Sequence, residues 1–291
     1  CCNNLAHFTK IRFIRRIFRI MNNKLSFKRK KPSFPILSVY GALVYIYLYF
    51  PLMVVFIYSL NSSRSTMKFE GVTFSWYIKL FQSKELLTSL FHSIQVSGIA
   101  VLFAVVVGTS GALFLNRIEF KGKDLFRTLS MLPIILPGTI VGLSLLISFL
   151  NLKLQLSMWT VIFGHMSFTT PVVMFQVLAR LARLSRNFEN AAMDLGANPF
   201  QTFIYITFPM IKRAVIGGAL LAFTMSFDEI IITYFLTSTY NTLPIYLYGM
   251  LRFGLSPEVY AISTVVLGFS ILLIVLMAKY TGSSEEKSLA R

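Results

Sequence analysis

Six long apolar stretches constrain the fold of this 291-residue chain more than any other feature of its sequence. A helix that spans a membrane needs about 20 mostly apolar residues, and each stretch is long enough. The stretches are apolar all round and do not alternate with period two, so they predict helices rather than barrel strands. We therefore expect an all-α polytopic membrane protein with six transmembrane helices. The predicted spans are Ile36–Leu60, His92–Leu115, Thr128–Leu150, Met158–Ala179, Ala214–Leu236 and Val259–Tyr280.

The basic residues fall mostly on one side of the membrane that these spans define. The sequence has 28 Lys+Arg against 11 Asp+Glu, which gives a net charge of +17. Cytoplasmic loops carry an excess of Lys and Arg. The two termini and the second and fourth loops together hold 22 of the basic residues, and the other loops hold 6. This distribution predicts a multi-pass membrane protein with both termini in the cytoplasm.

A high positive charge would by itself suggest nucleic acid or anionic lipid as a partner. The chain, however, is 55% hydrophobic and only 13% charged. Soluble domains carry roughly 25% charged residues, so this chain is too apolar to be a soluble nucleic-acid-binding protein. We therefore expect the lipid bilayer, and no nucleic acid, among its partners.

Hydropathy and charge divide the sequence into three parts. Residues 1–35 form a basic cytoplasmic segment, residues 36–281 the transmembrane domain and residues 282–291 a cytoplasmic tail. Within 8–21, apolar residues recur at helical spacing among basic ones, which suits an amphipathic helix on an anionic leaflet. The alternative is a wrongly assigned start that adds residues 1–20. The two cysteines are both N-terminal, which excludes a disulfide framework and a cysteine-based metal site.

The cytoplasmic loop between spans four and five, residues 180–213, has the pattern of a folded element. Asn187–Leu195 predicts a short helix with a glutamate near its start, where the helix dipole favours negative charge. Gly196 suits a C-terminal cap with positive φ. A second helical run follows over 199–206, after which Pro209 is expected to break or kink the chain before span five. The result would be a compact knob, either a docking element for a motor or an ordinary folded loop.

This loop resembles the EAA loop of ABC importer permeases, whose pattern is Glu-Ala-Ala, three residues, Gly, nine residues, Ile, one residue and Leu-Pro. Two positions depart from that pattern: Asn190 stands at the Glu position, with Glu189 one residue earlier, and Phe208 stands at the Leu position. The resemblance implies that the loop forms a coupling helix, which sits in a groove of the ATP-hydrolysing subunit. The implied coupling residues are Glu189, Asn190, Ala191, Ala192, Asp194, Gly196, Ile206 and Pro209.

The resemblance extends over roughly residues 36–281 and is closest to the second permease, or C-type subunit, of spermidine/putrescine importers. Stretches that carry it include YSLNSSR after span one, SFDEIIITYF at 226–235 and LPIYLYGMLRFGLSPEV at 243–259. It implies the ABC type I importer permease fold, in which two related permeases form one translocation path across a bacterial inner membrane. Two copies of a cytoplasmic ATPase and an extracytoplasmic substrate-binding protein are the other implied partners.

No phosphate-binding loop of the form GxxxxGK[ST] occurs in the chain. This agrees with a permease that binds no cofactor and leaves ATP to its partner. The chain is accordingly expected to be a transport subunit and not an enzyme, because its ionisable residues form no paired acid/base group.

Span five contains two carboxylic acids, Asp228 and Glu229. A carboxylate near the bilayer centre costs a few kcal/mol, so such residues are candidates for function. Adjacent helical positions point about 100° apart, so at most one of the two faces a pathway squarely. There, a carboxylate would offset the desolvation of an ammonium group of a linear polycation. The alternative role is hydrogen bonding to a neighbouring helix or subunit.

Three other features call for an interpretation. His165 in span four is expected to be buried and hydrogen-bonded, because one histidine cannot build a metal site. Pro133 and Pro137 can kink span three. Outside the membrane, Trp76 and Tyr77 either touch a binding protein or are ordinary loop residues.

Two other functions fit part of the pattern. One is a sister ABC permease for another solute, such as ferric iron or an opine-like compound. The other is a non-ABC channel or a purely structural membrane protein, which would have no need of a knob for docking a motor.

Overall fold

The computed structural model describes residues 35–63, 68–252 and 257–282. The predictions for the basic segment before residue 35 and for the tail after residue 282 lie outside the described residues. The chain divides into two compact units, residues 1–53 and 54–291. The described part of the first unit is the beginning of one apolar helix, and everything that follows concerns the second unit.

The described residues are almost entirely helical, which confirms the predicted all-α class. One isolated antiparallel bridge, between Asn61 and Val72, is their only extended pairing. The helices are α1 Pro35–Ser59, α2 Ser75–Gln82, α3 Lys84–Arg117, α4 Lys123–Ile135, α5 Gly138–Asn151, α6 Met158–Leu181, α7 Asn187–Asp194, α8 Pro199–Thr202, α9 Phe208–Phe227, α10 Ile231–Leu236, α11 Leu243–Arg252 and α12 Pro257–Gly282. A π-helical turn, Phe203–Thr207, joins α8 to α9.

Five helices of the described residues are long and apolar enough to cross a membrane, and a sixth span results if α4 and α5 count together. Spans one, four and six match α1, α6 and α12 to within two residues at each end. Span two is longer than predicted, because α3 begins at Lys84 and its N-cap, Ser83, accepts a hydrogen bond from the amide of Leu86. The charged residues of its first turn lie outside the apolar stretch from which the span was predicted.

Span three consists of two helices, and the interruption expected from its prolines occurs at Pro137. The axes of α4 and α5 are bent by 102° relative to each other. The break lies at Leu136, which is extended with ψ 142°, and at Pro137. A proline disfavours the helical conformation of the residue before it, so Pro137 ends α4 at this point. Pro133, in contrast, lies inside α4 without ending it.

Span five begins earlier than predicted and ends earlier too. Helical structure runs without interruption from Pro199 to Phe227, so Pro209 does not break the chain and that prediction was wrong. The amide of Phe208 bonds to the carbonyl of Phe203, five residues back. Because of this widened turn, the chain stays helical although Pro209 has no amide hydrogen to donate. The helix instead ends after Phe227, and α10 begins at Ile231 after three non-helical residues.

The core of the second unit lies where α3, α6 and α9 pack together. Its buried side chains include Ala104, Ala112, Val173, Val177 and Ile211. Small residues let the helix axes approach closely. A Cβ atom on Gly108 would lie 2.8 Å from the carbonyl oxygen of Thr170 and 3.0 Å from the amide nitrogen of Met174.

Trp76 is a core residue and not part of an external loop, so the loop interpretation was wrong for it. It lies in the short helix α2, and its side chain is 5% exposed. Its indole N–H donates to the carbonyl of Asn61 over 2.7 Å. The neighbouring Tyr77 hydroxyl lies 2.6 Å from the hydroxyl of Ser59. Both contacts join α2 to the end of α1, which leaves the Trp76 ring no free face for a partner.

Candidate functional site

The knob, residues 187–202, consists of α7, a tight turn and α8. The helix predicted over Asn187–Leu195 is confirmed as α7, with Leu195 as its C-cap. Gly196 has φ +90°, as predicted, and its amide bonds to the carbonyl of Met193 over 2.9 Å. Asn198 then caps α8, since its side chain accepts from the amide of Gln201 and the Gln201 side chain accepts in return. Local hydrogen bonds therefore define the knob.

Glu189 ties the knob to the transmembrane helices. Its Oε1 atom lies 2.7 Å from Nη2 of Arg117, the last residue of α3. The same oxygen accepts a hydrogen bond of 2.6 Å from the hydroxyl of Thr207, in the π-helical turn. Arg117 also donates to Thr207 over 3.2 Å, so the three side chains bond mutually. On the same side of α7, Arg186 donates to the carbonyl of Asn116.

The pKa of Glu189 is lowered from its ordinary value of 4.5. Desolvation is the largest single effect and raises it, but the hydrogen bonds from Thr207 and Arg117 and the charges of Arg117 and Arg186 together outweigh desolvation. The carboxylate is therefore ionised at neutral pH and held by its own domain.

The knob also exposes several large apolar side chains. Leu195 is 90% exposed and Phe200 is 70% exposed, and Phe188 and Met193 are exposed beside them. Exposed apolar side chains clustered on a folded element mark a surface for a partner. Among the predicted coupling residues, Asn190, Ala191, Asp194, Gly196 and Pro209 are exposed, and Glu189, Ala192 and Ile206 are partly buried.

A second group of features lies where spans three and five are both interrupted. A Cβ atom on Gly138, the first residue of α5, would lie 3.6 Å from Cβ of Ile231 and 3.8 Å from Oε1 of Glu229. One turn later, a Cβ on Gly142 would lie 2.8 Å from the ring of Phe235. The two helices therefore start side by side and run along each other. Non-helical backbone inside a membrane is tolerated only where protein buries it or where it lines a cavity.

Asp228 and Glu229 have different environments at this break. Glu229 is half-buried, and its Oε1 accepts a hydrogen bond of 2.9 Å from the amide of Ile232, at the start of α10. Asp228 is exposed, and its carboxylate has no hydrogen-bond or ion-pair partner among the described residues. It lies instead at a cavity of about 440 Å³, mostly apolar, whose other polar groups include Tyr248, Tyr260 and Ser263. Of the two acids, only Asp228 lines this cavity. The expectation that one of them faces a substrate pathway stays a prediction.

The break means that the two acids are not adjacent positions of one continuous helix, as the prediction of a separation of about 100° assumed. Asp228 follows the last residue of α9 and Ile230 precedes α10, so neither acid lies within a helix. Their different directions follow from the turn between the helices.

His165 lies in the core next to this break. Its side chain is 1% exposed, with Nδ1 2.6 Å from the hydroxyl of Ser226 and Nε2 2.8 Å from the hydroxyl of Thr233. The interpretation of His165 as a buried, hydrogen-bonded histidine is confirmed.

Comparison with protein families now identifies the fold. The model of a family described as "Binding-protein-dependent transport system inner membrane component" matches residues 100–281, more than half of the chain. The chain belongs to this family of ABC importer permeases. The permease is therefore a multi-pass membrane protein and a transport component, not an enzyme.

Individual relatives match most of the permease. The spermidine/putrescine transport system permease protein PotC of Escherichia coli (strain K12) is 34% identical over 233 residues, which cover 80% of this chain and 88% of that protein. The putrescine transport system permease protein PotI of the same strain is 34% identical over 255 residues, which cover 85% and 90%. PotC of Haemophilus influenzae is 30% identical over 234 residues, which cover 80% and 91%.

A solved structure shows the same fold. It is a bacterial ABC transporter involved in the import of the acidic polysaccharide alginate, and one of its chains aligns with a TM-score of 0.68. The alignment covers 91% of this permease and 96% of that chain, at 19% identity. At this identity the match speaks for the architecture alone.

Several residues of these sites were not found by sequence reasoning. Arg117 was counted only as one of the cytoplasmic basic residues, and Thr207 occupies the unspecified position of the family's Ile-x-Leu-Pro pattern. Ser226 and Thr233 are polar residues seven positions apart in an apolar run. That spacing on one helical face was the available signal, although it did not reveal His165 as their partner.

Proposed function

We propose that this chain is one of two permease subunits of an ATP-driven importer for polyamines such as spermidine or putrescine. The observation that carries the substrate class is the unpaired carboxylate of Asp228 at a cavity with mainly apolar walls. A polyamine alternates ammonium groups with short hydrocarbon segments, so it needs both kinds of surface. The carboxylate offsets the desolvation of one ammonium group, and the apolar walls contact the hydrocarbon segments.

The relatives point to the same substrate class. PotC and PotI, which are named for spermidine/putrescine and putrescine transport, are each about a third identical to this permease over four fifths of its length or more. In the proposed assembly, an extracytoplasmic binding protein delivers the polyamine to a path shared with the second permease.

The knob supports the proposal of two cytoplasmic ATPases as the motor. Its exposed apolar side chains, led by Leu195 and Phe200, provide the surface for docking the ATPase. The knob is also tied through Glu189 to Thr207, at the start of the helix that ends next to Asp228. The helical stretch from Pro199 to Phe227 has 29 residues, about 40 Å of nearly continuous helix. A push on the knob is thereby carried along this helical stretch to the proposed substrate site.

The orientation follows the same proposal. The loops on the side of the knob carry most of the basic residues, so the knob and both termini face the cytoplasm. The cavity at Asp228 then lies between the helices, within the span.

The test is substrate uptake by proteoliposomes that contain the complete importer. Asp228→Asn removes the charge and keeps the size, so uptake of labelled spermidine and putrescine should fall about tenfold, which corresponds to 1.4 kcal/mol of lost interaction. Co-purification of the partner subunits should be unchanged. Asp124→Asn is the matched control, because Asp124 is an exposed carboxylate in the first turn of α4, outside the proposed path.

Competition separates the polyamine from other solutes. Excess unlabelled polyamine should abolish uptake, whereas ferric iron and an opine should leave it unchanged. Uptake that is insensitive to Asp228→Asn, or that iron or an opine competes for, would contradict the proposed substrate class.

A further inference from the structure

Span five breaks at a sequence that contains neither proline nor glycine. Residues 226–233 read SFDEIIIT, and the non-helical part lies between Phe227 and Ile231. Sharp interruptions of a helix almost always have an identifiable local cause, such as a proline, a glycine or an inserted side chain. Within the break, the Glu229 side chain accepts a hydrogen bond from the amide of Ile232 over 2.9 Å and so starts the second helix. A contact from another helix also joins the two sides of the break.

The imidazole of His165, on α6, contacts both sides of the break. Nδ1 lies 2.6 Å from the hydroxyl of Ser226, in the last turn of α9. Nε2 lies 2.8 Å from the hydroxyl of Thr233, in α10. A neutral imidazole has one donor and one acceptor nitrogen, so it can bond two hydroxyl groups at once.

This pair of contacts fits a broken helix better than a continuous one. In a continuous α-helix, residues seven apart lie on one face and are separated along the axis by about 10.5 Å. One imidazole ring with hydrogen bonds of 2.6 Å and 2.8 Å reaches less far than that. The two hydroxyl groups are thus closer together than an unbroken helix would place them.

The side chains of His165, Ser226 and Thr233, together called the clamp, are buried away from solvent. His165, Ser226 and Thr233 are 1%, 2% and 0% exposed. Inside a low-dielectric core an unmade hydrogen bond is costly, so the three groups favour the arrangement in which both contacts form. Each hydroxyl also has a second neighbour, because Ser226 lies 3.2 Å from the hydroxyl of Ser97 and Thr233 donates to the carbonyl of Glu229. Removal of the imidazole therefore leaves neither hydroxyl without a partner, and the helices can still pack.

We propose that His165 is a positioning residue that holds span five broken and thereby directs the carboxylate of Asp228 into its cavity. This inference rests on the proposed function for the role of Asp228 in transport. The position of Asp228, however, can be measured without any substrate. Asp228 is the C-cap of α9, and the non-helical stretch begins there. Closing the break into a continuous helix would turn each following residue by about 100° from its neighbour and so change the residues around the Asp228 carboxylate.

The experiment uses the complete importer in proteoliposomes, with Cys1 and Cys2 replaced by serine and Asp228→Cys as a reporter. The rate at which a small cationic methanethiosulfonate reagent modifies this cysteine reports whether position 228 faces the cavity. His165→Phe keeps a ring but removes both hydrogen bonds, and Thr233→Val removes one of the two hydroxyl groups without changing the shape. In both, we expect modification to slow about tenfold as the population shifts to the continuous helix.

Two matched variants control for nonspecific effects. Thr233→Ser keeps the hydroxyl, and His92→Phe makes the same exchange of rings at a histidine that lies outside the clamp and contacts the carbonyl of Asn241. Both should leave the modification rate unchanged. Assembled His165→Phe and Thr233→Val importers with an unchanged rate would overturn the clamp. If His165→Phe does not assemble, the result for Thr233→Val decides.

The two proposals fail in different ways. If Asp228 has no role in transport, the modification rate still responds to His165→Phe while Asp228→Asn leaves uptake unaffected. If the clamp is wrong, Asp228→Asn still lowers uptake, whereas the modification rate ignores His165. In importers that keep Asp228, an intact clamp also predicts that His165→Phe raises KM for polyamine while co-purification of the subunits stays complete.

Discussion

Glu189 and Thr207 are joined by a hydrogen bond of 2.6 Å that connects the knob to the first turn of span five. The acid stands one position before the place where the family pattern has its glutamate, and its side chain turns toward its own domain. Asn190, which occupies the pattern's position, is exposed. In this chain the acid thus stands at position 189, where it bonds to Arg117 and Thr207, and not at the exposed position 190.

Glu189→Gln should weaken the coupling between ATP hydrolysis and uptake. Glutamine keeps the shape but loses the ion pair with Arg117, whose side chain is 35% exposed, so we expect a cost of about 1 kcal/mol. The number of ATP molecules hydrolysed per polyamine imported should rise about fivefold, as that energy implies. Glu119→Gln serves as the control, since it breaks the ion pair of an 82% exposed glutamate with Lys123. An unchanged ratio of ATP hydrolysed to polyamine imported in Glu189→Gln would mean that the bonds of Glu189 do not contribute to coupling.

The contribution of the Glu189 carboxylate to the stability of the protein should depend on pH in a defined direction. Because the pKa of Glu189 is lowered in the folded protein, its contribution to stability is complete above the ordinary value of 4.5 and is lost as the pH falls through the lowered pKa. The difference in melting temperature between the parent and Glu189→Gln should be constant from neutral pH to about 5 and shrink in more acidic buffer. A difference that instead grows on acidification would refute the assignment of an ionised Glu189.

The close approach of α3 and α6 predicts a pair of contrasting alanine variants. A Cβ on Gly108 would lie 2.8 Å from the backbone oxygen of Thr170, whereas one on Gly98 would meet nothing within 4 Å. Gly108→Ala should therefore destabilise the protein by about 2 kcal/mol through overpacking, and Gly98→Ala should leave its stability unchanged or slightly higher. Thermal unfolding in detergent compares the two, and equal melting temperatures would argue against this packing.

The orientation can be checked with single cysteines in a background without Cys1 and Cys2. Leu195→Cys places a thiol on the knob, where the native side chain is 90% exposed, and Thr239→Cys places one in the exposed turn after α10. An impermeant maleimide should label position 239 in intact cells and position 195 only after the membrane is permeabilised. The reverse pattern would invert the topology that the basic residues predict.

The sequence predicted the spans well where the signal is local. Apolar runs gave α1, α6 and α12 almost to the residue, and Gly196 revealed its positive φ because a helix end requires one there. Proline was a weaker guide. Pro137 ends a helix as its chemistry demands, but Pro209 follows a π-helical turn that accommodates it, and this turn has no signature in composition.

The break in span five was beyond local reasoning. Phe227 to Ile231 contains residues that a helix tolerates, and His165, which contacts both sides, is 61 residues from Ser226 in the chain. The different environments of Asp228 and Glu229 follow from the amide of Ile232, to which Glu229 bonds, and from the arrangement of α11 and α12 around the cavity. Such a site is specified by tertiary structure, so no span-by-span pattern could have assigned it.

The π-helical turn Phe203–Thr207 contains one more residue per hydrogen-bonded ring than the α-helix on either side of it. Rewinding it to α-helix would rotate α8 by about 100° about the helix axis and displace it by about 1.5 Å relative to α9. The part of span five before this turn is therefore rotated about the helix axis relative to the part after it. A motor that pushes on Leu195 and Phe200 would have a torsional degree of freedom to act on, and the stroke that reaches Asp228 would be a twist rather than a bend.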